Sequence, residues 1–255
     1  ILIEHLSKTN EVSVAQSHKV TSQILDKYDF IVISNFTYLS EAVKAKLEKE
    51  KEYIIYEHDH KYVSGRDPSK YPDFLVPEDD LINVSFYEKS KCVIVLSKIC
   101  KSILEKNIPS CNVHSIGCSL WSENAFEMIE QLSDSEKKYE YCVVNSKNPI
   151  KSTAQTLELC NKKGINPFLL ESSGHKEFLI SMSKCEKLVF LPAVLETFSR
   201  LCAEAKMLGL SVMTTPKKVG FSSEDIYSLS GKELIEQLRQ RNKLALSYFD
   251  SLVDA

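Results

Sequence analysis

Glu196 and Glu204 are carboxylates with seven residues between them, in the stretch 188–216. The residues around them read as strand, loop, helix, turn and strand. The apolar run 188–191 suits a buried parallel strand, and Pro192 ends it. From Thr197 onward apolar residues recur at helical spacing as Phe198, Leu201, Cys202, Ala205 and Leu208. Gly209 follows where a helix stops on a left-handed residue. Along such a helix the two carboxylates stand roughly 10–12 Å apart. That is the reach from the sugar ring to the ribose of a nucleotide sugar. A diphosphate between them would meet the free N–H groups and positive dipole of the helix N-terminus. A plainer reading also fits: Arg200 and Glu204 as a surface i,i+4 ion pair, with Glu196 merely complementing the dipole.

A second concentration of chemistry is Glu57-His58-Asp59-His60, which follows the apolar strand 52–56. It therefore lies at the carboxyl edge of a sheet, where open α/β sheets bind ligands. His58 and His60 have strand spacing, which would place both on one face and Asp59 on the other. His-x-His can chelate a metal, but no third ligand stands nearby in the sequence, and no metal site is assigned. The segment 61–80 holds three prolines and several aromatic residues, an ordered loop of functional length. Its Lys61, Arg66, Lys70, Tyr62 and Tyr71, with His60, are acceptor-side candidates, or else a solvated loop. After the strand 141–145 come Lys147 and Lys151, either exposed loop lysines or the positive charge that a departing diphosphate needs.

The elements that must position these residues alternate regularly. The pattern predicts strands at 11–17, 29–34, 52–56, 92–97 and 112–116, with helices at 39–51, 81–88 and 98–106. The opening residues Ile1, Leu2, Ile3 and Leu6 read as mid-helix. A polar transition at 119–139 leads to strands at 141–145, 166–170, 188–191 and 210–213. Helices are expected at 151–163, 176–183, from Thr197, and at 232–248. This is the pattern of doubly wound parallel sheets, in two domains over 1–125 and 126–255.

Composition narrows the function. The chain has 255 residues and a net charge of −3, so bulk charge does not point to nucleic acid. No run is long and apolar enough for a membrane span, and no signal peptide is visible. The eight cysteines contain no Cys-x-x-Cys, which suits reduced thiols in a cytoplasmic protein.

The sequence Phe-Leu-Pro-x3-Glu-Thr-Phe-Ser-Arg-x3-Glu-Ala-x3-Gly-x-x-Val, residues 190–212, resembles the donor-binding signature of GT-B glycosyltransferases of the retaining GT4 type. The family usually has Gly where Ser199 stands. The resemblance implies two Rossmann-like α/β domains facing a cleft, and a first strand with a glycine-bearing loop that would precede Ile1. It also implies transfer of a hexosyl or pentosyl group from a nucleotide sugar to an acceptor hydroxyl with retention of configuration. In that scheme Glu204 takes the ribose hydroxyls and Glu196 the sugar hydroxyls. The backbone at Thr197, Phe198, Ser199 and Arg200, with Lys151 or Lys147, holds the diphosphate. Gly174 lies near the base, and His58, with His60 as alternative, approaches the donor sugar. No cofactor or metal is required. The compact size and the Glu-His-Asp-His-Lys-Tyr stretch resemble small glycosyltransferases of bacteriophages, some of which modify DNA bases in the host cytoplasm. A glycan, lipid-linked sugar or protein acceptor stays equally open. A GT-B isomerase or phosphorylase and a non-catalytic nucleotide-sugar-binding module are the alternatives; the oligomeric state is not legible.

Overall fold

The computed structural model describes residues 1–171 and 174–253. The chain divides into two α/β units, one of Ile1–Gly117 with the chain from Leu244 onward, the other Cys118–Lys243. This division falls earlier than the expected one at 125/126 and returns the chain's end to the first unit.

The first unit is built on a parallel sheet of β1 (Phe30–Ile33), β2 (Glu52–Tyr56), β3 (Cys92–Val95) and β4 (Val113–Ser115), in that spatial order. Ile54, Ile55, Val93 and Ile94 are fully buried. Strands covered on both faces are what continuous apolar runs dictate. The helices are α1 (Leu2–Leu6), α2 (Ser22–Leu25), α3 (Glu41–Glu50), α4 (Val84–Glu88) and α5 (Lys98–Asn107). Ser40 and Ser97 cap α3 and α5, accepting bonds from the Val43 and Cys100 N–H groups. The segment 11–17 is not a strand: it has no ladder partner among the described residues, and Val14 is 69% exposed. Its alternation had no sheet neighbour to reward it. The loop 61–80 is ordered by short 3₁₀ turns and an antiparallel bridge between Val63 and Leu81. The Asn107 side chain pins its middle, accepting from Val76 N–H at 2.8 Å and donating to Phe74 C=O at 2.9 Å.

The second unit opens with α6 (Glu123–Ser133), where a polar transition was expected. Ser122 caps it by accepting from Ala125 N–H, and Phe126 and Ile129 carry its buried face. The charged residues between those apolar positions mask a helical period. Then come β5 (Tyr139–Asn145), α7 (Thr153–Lys162), β6 (Phe168–Glu171), α8 (His175–Ser183), β7 (Cys185–Phe190), α9 (Arg200–Met207), β8 (Ser211–Thr214) and α10 (Gly231–Val253), whose residues from Leu244 belong to the first unit. The parallel order β6-β5-β7-β8 reverses between β5 and β7. That reversal opens a crevice at the carboxyl ends of these two strands. All eight cysteines are free and buried. No helix among the described residues is long and apolar enough to cross a membrane.

Candidate functional site

The site grows from the loops that leave β5 and β7 at the reversal. After β5 the chain makes a 3₁₀ turn, Pro149–Lys151, whose Asn148 side chain accepts from Ile150 N–H. Lys151 ends that turn. After β7 the loop 191–199 runs beside residues 218–221 in extended form: Glu196 N–H donates to Lys218 C=O at 3.0 Å, and Gly220 N–H to Glu196 C=O at 2.8 Å. The backbone of Glu196 is thus committed to a strand-like bridge with Val219. For this reason the helix does not start at Thr197. It starts at Arg200, after Ser199 has turned into the left-handed region at φ 70°.

Ser199 explains why a glycine suits this position. A left-handed backbone costs a residue with a Cβ about 1–2 kcal/mol. Ser199→Gly is expected to raise thermal stability by up to about 1 kcal/mol, the strain relief exceeding the extra chain entropy. Thermal unfolding checks this, and a lower melting temperature would contradict it. The Ser199 side chain does not cap α9. The first intrahelical bond of this end runs from Ala203 N–H to Ser199 C=O, so the first-turn N–H groups of Arg200, Leu201 and Cys202 remain available to an anion. At the far end Gly209, at φ 79°, closes the helix as expected. Leu210 N–H bonds Ala205 C=O and Gly209 N–H bonds Lys206 C=O, a Schellman arrangement.

Lys151 and Glu196 meet directly, Nζ to Oε1 at 2.8 Å. Glu204 is 4% exposed, although it sits on a helix. Its Oε1 accepts from Trp121 Nε1 at 2.9 Å, from His175 Nε2 at 3.1 Å and from Arg200 Nη2 at 3.1 Å. Burial alone would raise the Glu204 pKa. The His175 bond, the Arg200 charge and the Trp121 N–H outweigh it and hold the carboxyl below its ordinary value. His175, bonded to Glu204, has its own pKa raised. A cavity of about 340 Å³ opens here, lined by Val144, Lys151, His175, Phe178, Leu201 and Glu204. Its lining sets apolar walls beside convergent charged groups.

The sequence-expected residues therefore separate. Glu204 and Lys151 line the cavity, and Glu196 joins them through Lys151. Phe198 is buried against Phe221 at 5.1 Å and shapes the loop. Thr197 is half-buried beside it, and Arg200 is half-exposed over the Trp121 ring. Lys147 is exposed on the loop after β5. Gly174 precedes α8 with φ −56°, a conformation open to any residue. Ser172 and Ser173, which precede it, lie outside the described residues. Trp121 and His175 were not expected. A lone tryptophan in a polar stretch, and a histidine at the end of the Glu171–His175 run, were the available signals.

In the first unit, β2 ends at Tyr56, so the Glu57–His60 stretch lies beyond the ladder. The two histidines do not share a face: His58 is exposed and His60 is 2% exposed, on a left-handed backbone. His60 Nδ1 faces the Tyr62 hydroxyl at 3.3 Å. The His58 ring stands edge-on to Tyr56 at 4.3 Å. Desolvation, and then the Lys61 charge, hold its pKa below the ordinary histidine value, which favours neutral imidazole. Lys61 is not a surface cation. It is 3% exposed and paired with buried Glu57 at 3.1 Å, which also accepts from the Tyr87 hydroxyl and from Asp59 N–H. Arg66 pairs with Asp59 at 3.3 Å and donates to Thr37 Oγ1 at 2.8 Å. Tyr62 is buried, and Tyr71 donates to Asp80. Lys70 remains exposed. Among the described residues no group of three His, Cys, Asp or Glu side chains is placed to hold a metal ion.

No family model and no curated protein matches the sequence. Solved structures do. The chain is similar to sucrose-phosphate synthase from Thermosynechococcus elongatus, with a TM-score of 0.50 and 12% identity over 88% of this chain and 75% of that one. It is also similar to the pneumococcal O-GlcNAc transferase GtfA in complex with UDP and GlcNAc, with a TM-score of 0.48 and 12% identity over 88% of this chain. The chain spans about half of that protein, 53% of its length. An alpha-glucosyltransferase in complex with UDP-glucose and DNA containing an abasic site gives a TM-score of 0.44 and 13% identity, over 91% and 75% of the two chains. The parallel sheets of both units and the likeness to sucrose-phosphate synthase show an α/β fold of the GT-B type.

Proposed function

We propose that the chain is the core of a glycosyltransferase that moves a sugar from a nucleotide-sugar donor to an acceptor hydroxyl with retention of configuration. One observation carries this reading: Lys151, Glu196, His175 and Glu204 converge on the strand-order reversal of the second sheet, beside the uncapped N-terminus of α9.

The roles follow from chemistry. Glu204, kept ionised, accepts from ribose hydroxyls; charge-assisted bonds are the strong ones. The first-turn N–H groups of α9 and Lys151 hold the diphosphate, and Lys151 partly exchanges its Glu196 partner for phosphate oxygens. Glu196, released, turns to the sugar hydroxyls. Positive charge fixed at the leaving phosphate stabilises the charge that develops there as the sugar bond breaks. The same phosphate takes the acceptor proton in a front-side substitution, so the scheme assigns no separate base. The neutral imidazole of His58 is assigned to the reacting sugar. Lysine and the helix end supply the charge that a metal would otherwise bring. Lys61 is buried and Arg66 is paired, which supports an uncharged acceptor over DNA.

Lys151→Ala tests the clamp. It is expected to weaken binding of a nucleoside diphosphate by about tenfold or more, as the loss of a charged hydrogen bond does. Calorimetry that finds unchanged affinity would remove Lys151 from the site. Epimerised or phosphorolysed product, instead of a transferred sugar, would favour an isomerase or phosphorylase. Binding without turnover would favour a binding module.

A further inference from the structure

We infer that Trp121 is a positioning residue for nucleotide recognition: it fixes the Glu204 carboxylate so that the enzyme distinguishes ribose from deoxyribose. The inference rests on the donor-site reading above and adds a residue to it.

Among the described residues, every hydrogen bond drawn to the Glu204 side chain ends on Oε1. A carboxylate is planar, so holding one oxygen orients the other. Oε2 is then the atom offered to a pair of vicinal hydroxyls. The three donors to Oε1 are unequal. Arg200 and His175 side chains are 45% and 44% exposed, and water competes for both. Trp121 is 1% exposed. Its indole N–H has no water to turn to, and a buried donor left without an acceptor is costly.

The tryptophan is itself held from two sides. Asn242 of α10 makes a reciprocal pair with its backbone: Trp121 N–H donates to Asn242 Oδ1 at 3.0 Å, and Asn242 Nδ2 donates to Trp121 C=O at 3.0 Å. Asn242 is 8% exposed. The Arg200 guanidinium covers the indole at 5.1 Å, and the Phe126 and Phe198 rings pack on it at 5.9 and 6.1 Å. The rigid order runs Asn242, Trp121, Glu204. A recognition group is accurate only when the groups behind it are locked. An unpaired hydroxyl acceptor inside such a site rejects the analogue that lacks the hydroxyl.

The experiment titrates the full chain with UDP, GDP and ADP, each beside its 2′-deoxy counterpart, by calorimetry. Wild type is expected to prefer the ribonucleotide that it binds by about tenfold. Trp121→Phe keeps an aromatic ring and removes the N–H. It is expected to lower ribonucleotide affinity by about tenfold and to leave the deoxy form within about twofold, so that the preference collapses. A variant whose two affinities fall together, with the preference intact, would show a merely structural tryptophan and overturn the inference while leaving the donor site standing. Wild type that binds none of the six nucleotides would overturn both. If the variant does not fold, the wild-type protein still decides. Trp121 is the only tryptophan of the chain, so its emission reports this contact alone. The ribonucleotide is expected to change that emission more than its deoxy form at saturation. Equal changes, or none, would overturn the inference.

Discussion

Glu204→Gln is expected to lower affinity for the cognate nucleoside diphosphate by about 10- to 150-fold, the equivalent of about 1.5–3 kcal/mol for lost charged hydrogen bonds. The substitution keeps the side chain's size and removes its charge. The amide oxygen can still satisfy Trp121, so the fold survives. The amide nitrogen then stands where a charged acceptor stood, so the hydroxyls lose their charge-assisted bonds. His175 and Arg200 lose the anion that draws them inward. The expected outcome is a loss of binding and of transfer, with a melting temperature close to wild type. Calorimetry with the nucleoside diphosphate and thermal unfolding without it separate the two effects. Wild-type affinity in a folded Glu204→Gln protein would show that Glu204 only packs α9 against its neighbours.

The second large effect concerns stability. Lys61→Met is expected to destabilise the protein by about 3–5 kcal/mol, because it leaves Glu57 charged in the interior without its cation. Glu57 is 2% exposed, and Lys61 is its ion-pair partner at 3.1 Å. Burial pushes the Glu57 pKa up, but Lys61, the Tyr87 hydroxyl and the Asp59 N–H together hold it below the ordinary value. A lowered folded-state pKa gives stability that is present above the unfolded carboxylate range. That stability is lost as pH falls through the folded value, so wild type should weaken in acid more than a variant without this pair. The double variant Glu57→Gln, Lys61→Met should recover much of the single variant's loss, since no charge is then buried alone. Denaturant unfolding followed by circular dichroism reads all three proteins. A Lys61→Met protein as stable as wild type would mean that water reaches Glu57.

The sheets were legible because their strands are covered on both faces, so runs such as Cys92–Val95 carry no polar alternation to confuse the reading. Gly209 was legible because its left-handed cap leaves few other residues possible. The segment 11–17 shows the reverse case: alternation signals a strand only when a neighbour offers a ladder, and none does among the described residues. The helix α6 was hidden by its charges. Glu196, Glu204 and Lys151 were singled out from spacing and from the family resemblance, and the structure places Lys151 and Glu204 at one cavity with Glu196 bonded to Lys151. Their mutual contact was not, because the extended backbone of Glu196 depends on residues 218–220 far along the chain. The burial of Lys61 was equally hidden, since Tyr87 and the loop 61–80 must close over it before it becomes an interior ion pair. Trp121 needed α10 to hold it, and the sequence does not announce that pairing.

The donor site is tested most directly by a thermal-shift titration of the full chain with nucleoside diphosphates, their sugar conjugates and the bare nucleosides. Ligand that binds only the folded state raises the melting temperature by mass action, by about 2.7 kcal/mol of stability at a hundredfold excess over Kd. A diphosphate-bearing site at the α9 N-terminus predicts a clear rise with one base family as diphosphate or sugar conjugate, little with its nucleoside, and loss of the rise in Glu204→Gln. A flat response to every nucleotide would contradict the donor site and leave the cavity beside Glu204 as ordinary packing.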